Sequence, residues 1–543
     1  MSASRSVYVS QTGRSETLGT RQMVSTPHYL ASTAGFAILE QGGSAVDAII
    51  AANAVLAVVY NHMSGLGGDL FAQVWDPKTG KVEALNASGR AGSEANLDFF
   101  QSKGVSQIKA RGPQAAITVP GVVDGWWQLH QRYGKLPWQA LFQHSLDHAG
   151  GFPLSRKFAD FIARYHSTLE PYESTASIYL PSGQPIQPGS VLRQPDLAHS
   201  LTLIAEKGVD VFYRGELGER ITRGLREAGS ILKMDDFANH VSDWVEPVRT
   251  EYRGYEITEL PPNTQGIAAL MILNILENFD LAEIGEGTAD YYHLMTEAVK
   301  LAFYDRDRWV TDPTFVDIPV DRLLSKEYGR QQAGQINMQL TSSEESLEAA
   351  QAGGDTVYLC AVDADGQVVS LIQSPYYEFG SAFVVPGTGI LMQNRGSFFS
   401  LDPQHVNVLA PGKRTFHTII PAMALKDGKP VLAFGTMGGE GQPQTQAALL
   451  TRMVDYGMNV QEAIEAPRWL FGRTWGQESR TLKLEGRIPD RIADELLNRG
   501  HAVEMMQDWT QTMGHAQAIW IDREAGVLHG GADPRGDGLA VGR

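Results

Sequence analysis

With 543 residues the chain carries about three or four domains' worth of material, and its 43% hydrophobic and 20% charged residues exclude a disordered or fibrous protein. The single cysteine, Cys360, excludes a disulfide framework and a cysteine-rich metal site. Lys+Arg 45 against Asp+Glu 62 gives a net charge of −17, which argues against a nucleic-acid surface.

Residues 1–22 are rich in Ser and Arg and lack the apolar core of an export signal. Residues 45–60 form the longest apolar stretch, interrupted by Asp47 and Asn53 and too short to span a bilayer. Their small side chains predict a buried helix on which neighbouring elements approach closely. The expectation is a cytoplasmic protein with no membrane or nucleic-acid partner. A Gly-rich stretch, Ser64-Gly65-Leu66-Gly67-Gly68-Asp69, leads into a strand-like run at 70–75. A turn at 76–80 and a second run at 81–85 complete a hairpin. Residues 122–301 read as mostly helical, with amphipathic spacing at 201–206, 267–278 and 291–304. That middle third predicts packing helices, and Tyr304-Asp305-Arg306-Asp307-Arg308 has the spacing of a solvated helix face.

Residues 341–355 are acidic and rich in Ser, Ala and Gly, which predicts an exposed, mobile linker. It ends at Thr356, where two β-rich runs, 356–363 and 367–374, flank an Asp365-Gly366 turn. A threonine hydroxyl needs a base, and at a chain terminus the threonine's own α-amino group supplies one that titrates near neutral pH. For the internal Thr356 this requires cutting the Asp355–Thr356 bond, which the hydroxyl could do by attacking the Asp355 carbonyl. The alternative is a β-branched residue that simply opens a strand. A second junction, strand 431–434 followed by Gly435-Thr436-Met437-Gly438-Gly439-Glu440-Gly441-Gln442 and a helix, suits an oxyanion hole or a tight turn. It lacks the spacing of a P-loop or a dinucleotide loop. His417 stands alone, as structural histidines do. No paired metal-ligand spacing and no G-x-S-x-G elbow occurs.

Several of these motifs recur in one order. They are Gly42-Gly43-Ser44-Ala45-Val46-Asp47-Ala48, residues 64–69, Thr118-Val119-Pro120-Gly121 and Leu260-Pro261-Pro262-Asn263-Thr264-Gln265-Gly266. Gly354-Asp355-Thr356, Pro411-Gly412-Lys413-Arg414, Gly438-Gly439 and Ala532-Asp533-Pro534-Arg535 complete the set. In this the chain resembles the γ-glutamyltransferase family of N-terminal-nucleophile hydrolases, from about residue 23 to Arg543. The resemblance implies an α/β (α+β) fold, a four-layer αββα sandwich built jointly by a large fragment, residues 1–355, and a small one, 356–543. It implies Thr356 as nucleophile, Ser374 as its hydroxyl partner, Gly438 and Gly439 as the oxyanion hole, and Arg90 as the grip on a substrate carboxylate.

The departures concern substrate. Gln393-Asn394-Arg395-Gly396-Ser397-Phe398 puts Phe398 where the family's transpeptidases carry an acid for the donor ammonium. His417-Thr418 replaces a pair of serines, and the short segment 399–411 implies that a lid is missing. This pattern resembles the lidless glutathione-hydrolase-like and oxamate amidohydrolase branch. It implies a self-cleaving amide hydrolase acting through an acyl-threonine on a small carboxylate-bearing amide, oxamate-like or γ-glutamyl, with Arg90, Arg395, His417 and Thr418 binding it. A true γ-glutamyl transferase and an unprocessed relative serving as a binding protein are the alternatives. No metal or organic cofactor is expected. The expected partners are a small-molecule substrate and the chain's own two fragments, with a homodimer of processed units left open.

Overall fold

Runs of β-branched and aromatic residues pair into two seven-stranded antiparallel sheets in the computed structural model, which describes residues 13–342, 355–472 and 479–543. The first sheet runs, edge to edge, through Leu539–Gly542, Met23–Thr26, Asp355–Val362, Val368–Tyr376, Asp69–Asp76, Lys81–Ala87 and Asp243–Val245. The second runs through Thr17–Gly19, Val527–Ala532, Ala516–Asp522, Lys429–Thr436, Ala422–Lys426, Tyr255–Glu259 and Val248–Tyr252.

Alternation along the central strands sorts side chains into layers. On Asp355–Val362, Val357, Leu359 and Ala361 point into a core shared with helices Tyr29–Glu40 and Ala45–Val59. Tyr358, Cys360 and Val362 point the other way, into a core between the sheets with Met423, Leu425, Ala433 and Ile519 of the second sheet. A third core packs helices Gly266–Leu276, Ala289–Trp309 and Gln442–Val454 onto the outside of the second sheet. Helix, sheet, sheet and helix make the expected four layers. The sheets meet closely where Tyr358 lies over Gly435, whose Cβ would fall 2.3 Å from the ring.

Helix Ala45–Val59 is buried along its whole length, and its two polar interruptions have partners. Asp47 closes a capping box with Ser44. Asn53 accepts from Trp126 Nε1 at 2.8 Å. The helix start docks on the turn of the Thr356 hairpin, where Ala45 N–H donates to Asp363 at 3.0 Å. Both expected hairpins are present, with Asp76 opposite Lys81 and Val362 opposite Val368. Among the described residues no helix is long and apolar enough to cross a membrane.

Two expectations meet the structure only in part. The stretch 122–301 is mostly helical, as expected, but it also holds a hairpin that the helical reading passed over: Val248–Tyr252 and Tyr255–Glu259 pair through Arg253-Gly254, both in the left-handed region at φ 52° and 83°. Its signal was a period-two alternation around an Arg-Gly turn, with Thr250 and Tyr252 buried and Arg249 and Glu251 exposed. Of the expected mobile linker, residues 343–354 lie outside the described residues. The two before them are held: Thr341 N–H donates to the Arg499 carbonyl at 2.9 Å and Ser342 N–H to Glu297 at 3.0 Å.

Candidate active site

Thr356 is fully buried near the start of its strand, and its Oγ1 has no hydrogen-bond partner. A buried hydroxyl without a partner is costly and calls for an explanation. The ladder breaks at this residue. Asp355 faces Tyr376, but Val357 faces Gln373, so Ser374 and Pro375 together oppose Thr356 in a β-bulge. The bulge sets Ser374 against Thr356. Gln373 is clasped from behind by the Gly-rich stretch: its Nε2 donates to the Gly65 carbonyl at 3.0 Å, and Ser64 Oγ and Gly65 N–H donate to its oxygen. Gly67 and Gly68 are needed there, since a Cβ would meet the Leu391 carbonyl oxygen at 2.1 Å and the Ser374 carbonyl oxygen at 2.6 Å.

Strand Lys429–Thr436 ends in the second motif. Gly438 and Gly439 both have positive φ, 126° and 53°, before helix Gln442–Val454 begins. Their amide N–H groups donate to no acceptor among the described residues. Two consecutive undonated amides on buried glycines form the geometry that stabilises a developing oxyanion. The turn is braced on two sides. Gln265, from the Leu260–Gly266 motif, donates to the carbonyls of Gly439 at 3.0 Å and Thr418 at 2.6 Å. On the other side, Arg468 pairs with Asp533 at 2.5 Å and donates to the Gly514 carbonyl at 2.9 Å, and Gly514 Cα would lie 3.5 Å from a Cβ on Gly438. The Asp533-Pro534-Arg535 motif thus supports the turn from outside the site.

Arg306 corrects the reading of residues 304–308 as a solvated face. It is 1% exposed and reaches Gln265 Oε1 at 3.0 Å and Glu440 Oε2 at 2.7 Å, just behind the glycine turn. The five-residue charge pattern hid it, because one arginine of the run faces inward while Tyr304 is exposed.

Arg395 supplies the cation. It is 1% exposed and donates to Ser374 Oγ at 3.3 Å and Thr418 Oγ1 at 3.2 Å. Its guanidinium lies 4.3 Å above the Tyr376 ring, and Phe398 stacks on that ring at 4.5 Å. No carboxylate of the described residues lies within 4.0 Å to form an ion pair with it. Burial lowers its pKa to about 10, so it stays charged at neutral pH. His417 is buried, with Nε2 3.1 Å from Asp69 Oδ2 and Nδ1 without a partner. Burial holds its pKa well below the usual range, so the ring is neutral and donates to Asp69. Burial raises Asp69 to about 6.

The structure therefore brings Thr356 and Ser374 together across the bulge, joins Arg395 to Ser374 and Thr418, and sets His417 beside Thr418. Arg90 stands apart. Its side chain is 38% exposed, paired with Asp243 at 3.0 Å, and Asp243 is also held by Arg414. No hydrogen bond or ion pair joins Arg90 to the other site residues. The sequence reading missed Asp69, Gln265 and Arg306; the first two lay inside recognised motifs, and only their contacts reveal what they hold. Among the described residues one cluster has metal-ligating side chains, His293, Glu297 and His501. The two rings hydrogen-bond each other at 2.7 Å, and Lys300 already neutralises Glu297 at 2.8 Å.

Comparison with known proteins shows the family. Residues 31–543 match the family described as Gamma-glutamyltranspeptidase. The chain is 49% identical to the Glutathione hydrolase-like YwrD proenzyme of Bacillus subtilis, over 97% of this chain and 99% of that one. It is 42% identical to the Oxamate amidohydrolase proenzyme of Klebsiella pneumoniae, over 97% and 99%. The solved cephalosporin acylase from Bacillus halodurans superposes with a TM-score of 0.90 at 38% identity, over 99% of this chain and 98% of that one. A buried threonine facing a bulged serine, two undonated glycine amides and matches over nearly the whole length place this chain in the gamma-glutamyltranspeptidase family.

Proposed function

We propose that this protein is a self-cleaving amide hydrolase that acts through an acyl-threonine on a short amide bearing a carboxylate next to the scissile carbonyl, as in oxamate. In maturation Thr356 Oγ1 attacks the Asp355 carbonyl carbon, and the acyl group passes from nitrogen to oxygen. Water then hydrolyses the ester, leaving a large fragment ending at Asp355 and a small one beginning at Thr356. The freed amine takes the hydroxyl proton as Oγ1 attacks substrate, the Gly438 and Gly439 amides hold the oxyanion, and the proton passes to the leaving amine. A second water releases the acid and restores the threonine.

The observation that carries the choice of substrate is the buried Arg395, which lacks a carboxylate and donates to Ser374 beside the nucleophile. Because Ser374 lies opposite Thr356 in the bulge, a carboxylate gripped by Arg395 would belong to the same short acyl group that Thr356 attacks. The name of the Klebsiella pneumoniae relative supports the same reading. Phe398, stacked on Tyr376, offers an ammonium no counter-charge. The likeness to the glutathione hydrolase-like relative supports γ-glutamyl hydrolysis as the second reading.

Intact mass of the purified wild type should show two fragments divided after Asp355, and Thr356→Ala should give one uncut inactive chain. Ammonia release from oxamate should exceed turnover of γ-glutamyl-p-nitroanilide. The reverse preference would establish the second reading. A wild type that stays uncut would leave the protein a binding relative.

A further inference from the structure

Asp69 is the first residue of strand Asp69–Asp76, fully buried, and lies opposite Ser374 in the ladder. Its carboxylate accepts three hydrogen bonds, and each donor belongs to a different segment of the pocket. Gly89 N–H donates to Oδ1 at 2.9 Å, and Gly89 immediately precedes Arg90. Gln393 Nε2 donates to Oδ1 at 3.1 Å, two residues before Arg395. His417 Nε2 donates to Oδ2 at 3.1 Å, one residue before Thr418. The ties are reinforced. Gln393 N–H donates to the Gly67 carbonyl at 2.9 Å, and the His417 ring stands edge-on to Phe71, two residues along the strand from Asp69, at 4.7 Å.

Asp69 does not pair directly with Arg395, whose charge is left for a ligand. A carboxylate buried with three charge-assisted hydrogen bonds is a rigid junction, because each bond lost would leave a donor without water to replace it. We propose that Asp69 is the positioning residue of the anion pocket, acting through Gln393 on Arg395 and through His417 on Thr418 to hold both groups where the acyl carboxylate binds. The role deepens the reading of that pocket as a carboxylate site and rests on it.

The test is steady-state kinetics of the matured protein on oxamate. Asp69→Ala, which removes all three acceptor bonds, should raise KM at least tenfold while kcat stays within threefold. Asp69→Asn should return KM to within threefold of wild type. Its oxygen keeps Gly89 and Gln393, and its NH2 can donate to His417 Nε2 once that ring carries its proton on Nδ1, now without a partner. An unchanged KM in Asp69→Ala, or an Asp69→Asn variant as poor as Asp69→Ala, overturns the role. Should Asp69→Ala fail to fold, His417→Phe cuts one tie and keeps the ring on Phe71. A KM more than threefold above wild type then supports the role, and a smaller change overturns it. A wild type that cleaves only γ-glutamyl-p-nitroanilide shifts the same comparison to that substrate. A wild type that cleaves neither defeats the functional reading, and this inference with it.

Discussion

Arg395 is buried and donates to two hydroxyls, whereas Arg90 is partly exposed and already shares Asp243 with Arg414. A hydrogen-bonded charge out of water contributes about 1.5–3 kcal/mol, while an exposed pair contributes about 0.2–1 kcal/mol. Arg395→Gln should therefore lower kcat/KM for oxamate by roughly ten- to two-hundredfold, and Arg90→Ala by less than about fivefold. Steady-state kinetics on both variants check this, and the opposite ranking would return the carboxylate to Arg90. Thr356 and the two glycines sit on local signatures, a strand that opens at a threonine and a glycine turn before a helix, whereas Ser374 is legible only through the family resemblance. The choice between arginines is not legible, because it depends on Asp243, which is 153 residues from Arg90 and is set beside it by sheet pairing.

Helix Ala289–Trp309 shows the same limit at the level of an element. Its amphipathic spacing is plain, but the end bearing Asp305, Arg306 and Asp307 reads as a solvated surface from charge alone. Folding turns Arg306 under the glycine turn, where it bridges the Gln265 and Glu440 side chains. Arg306 and Glu440 are 1% and 2% exposed, so removing one partner strands the other charge in a dry interior. Arg306→Met should destabilise the protein by about 3–5 kcal/mol in urea unfolding, on the scale found for breaking buried pairs. It should also lower kcat, because Gln265 loses the contact that orients it toward the carbonyls of Gly439 and Thr418. Stability loss with kcat unchanged would mean that the pair supports the fold and not the turn. The Val248–Tyr252 hairpin is the converse case. Its alternation is readable, yet it is masked by the helices on either side of it.

Across the whole molecule, both sheets interleave strands from the two sides of the Asp355–Thr356 bond. In the first, Met23–Thr26 lies between Leu539–Gly542 and Asp355–Val362. Matured fragments should therefore elute together from a sizing column and part only in denaturant. The same dense packing makes acid a threat. His28 and His515 are buried and lowered to about 3, and His62 is held well below its usual 6.5. The unfolded chain protonates these rings below about pH 6.5 while the native state keeps them neutral, so stability is full above that pH and falls as pH drops toward 3. Each ring contributes a slope of up to about 1.4 kcal/mol per pH unit. Asp69, which binds a proton in the native state between about 6 and 3.8, and the buried Glu259, also raised, work in the opposite sense, while the lowered His240 and His417 add to the three rings. His62 is the sharpest probe. It stacks on Phe158 at 4.2 Å, and neither nitrogen has a hydrogen-bond partner. His62→Phe should keep the aromatic packing, match or exceed wild-type stability at pH 7.5, and flatten the decline between pH 6.5 and 4.5. Urea melts of both proteins across that range measure it, and parallel slopes would mean that water reaches the ring in the native state.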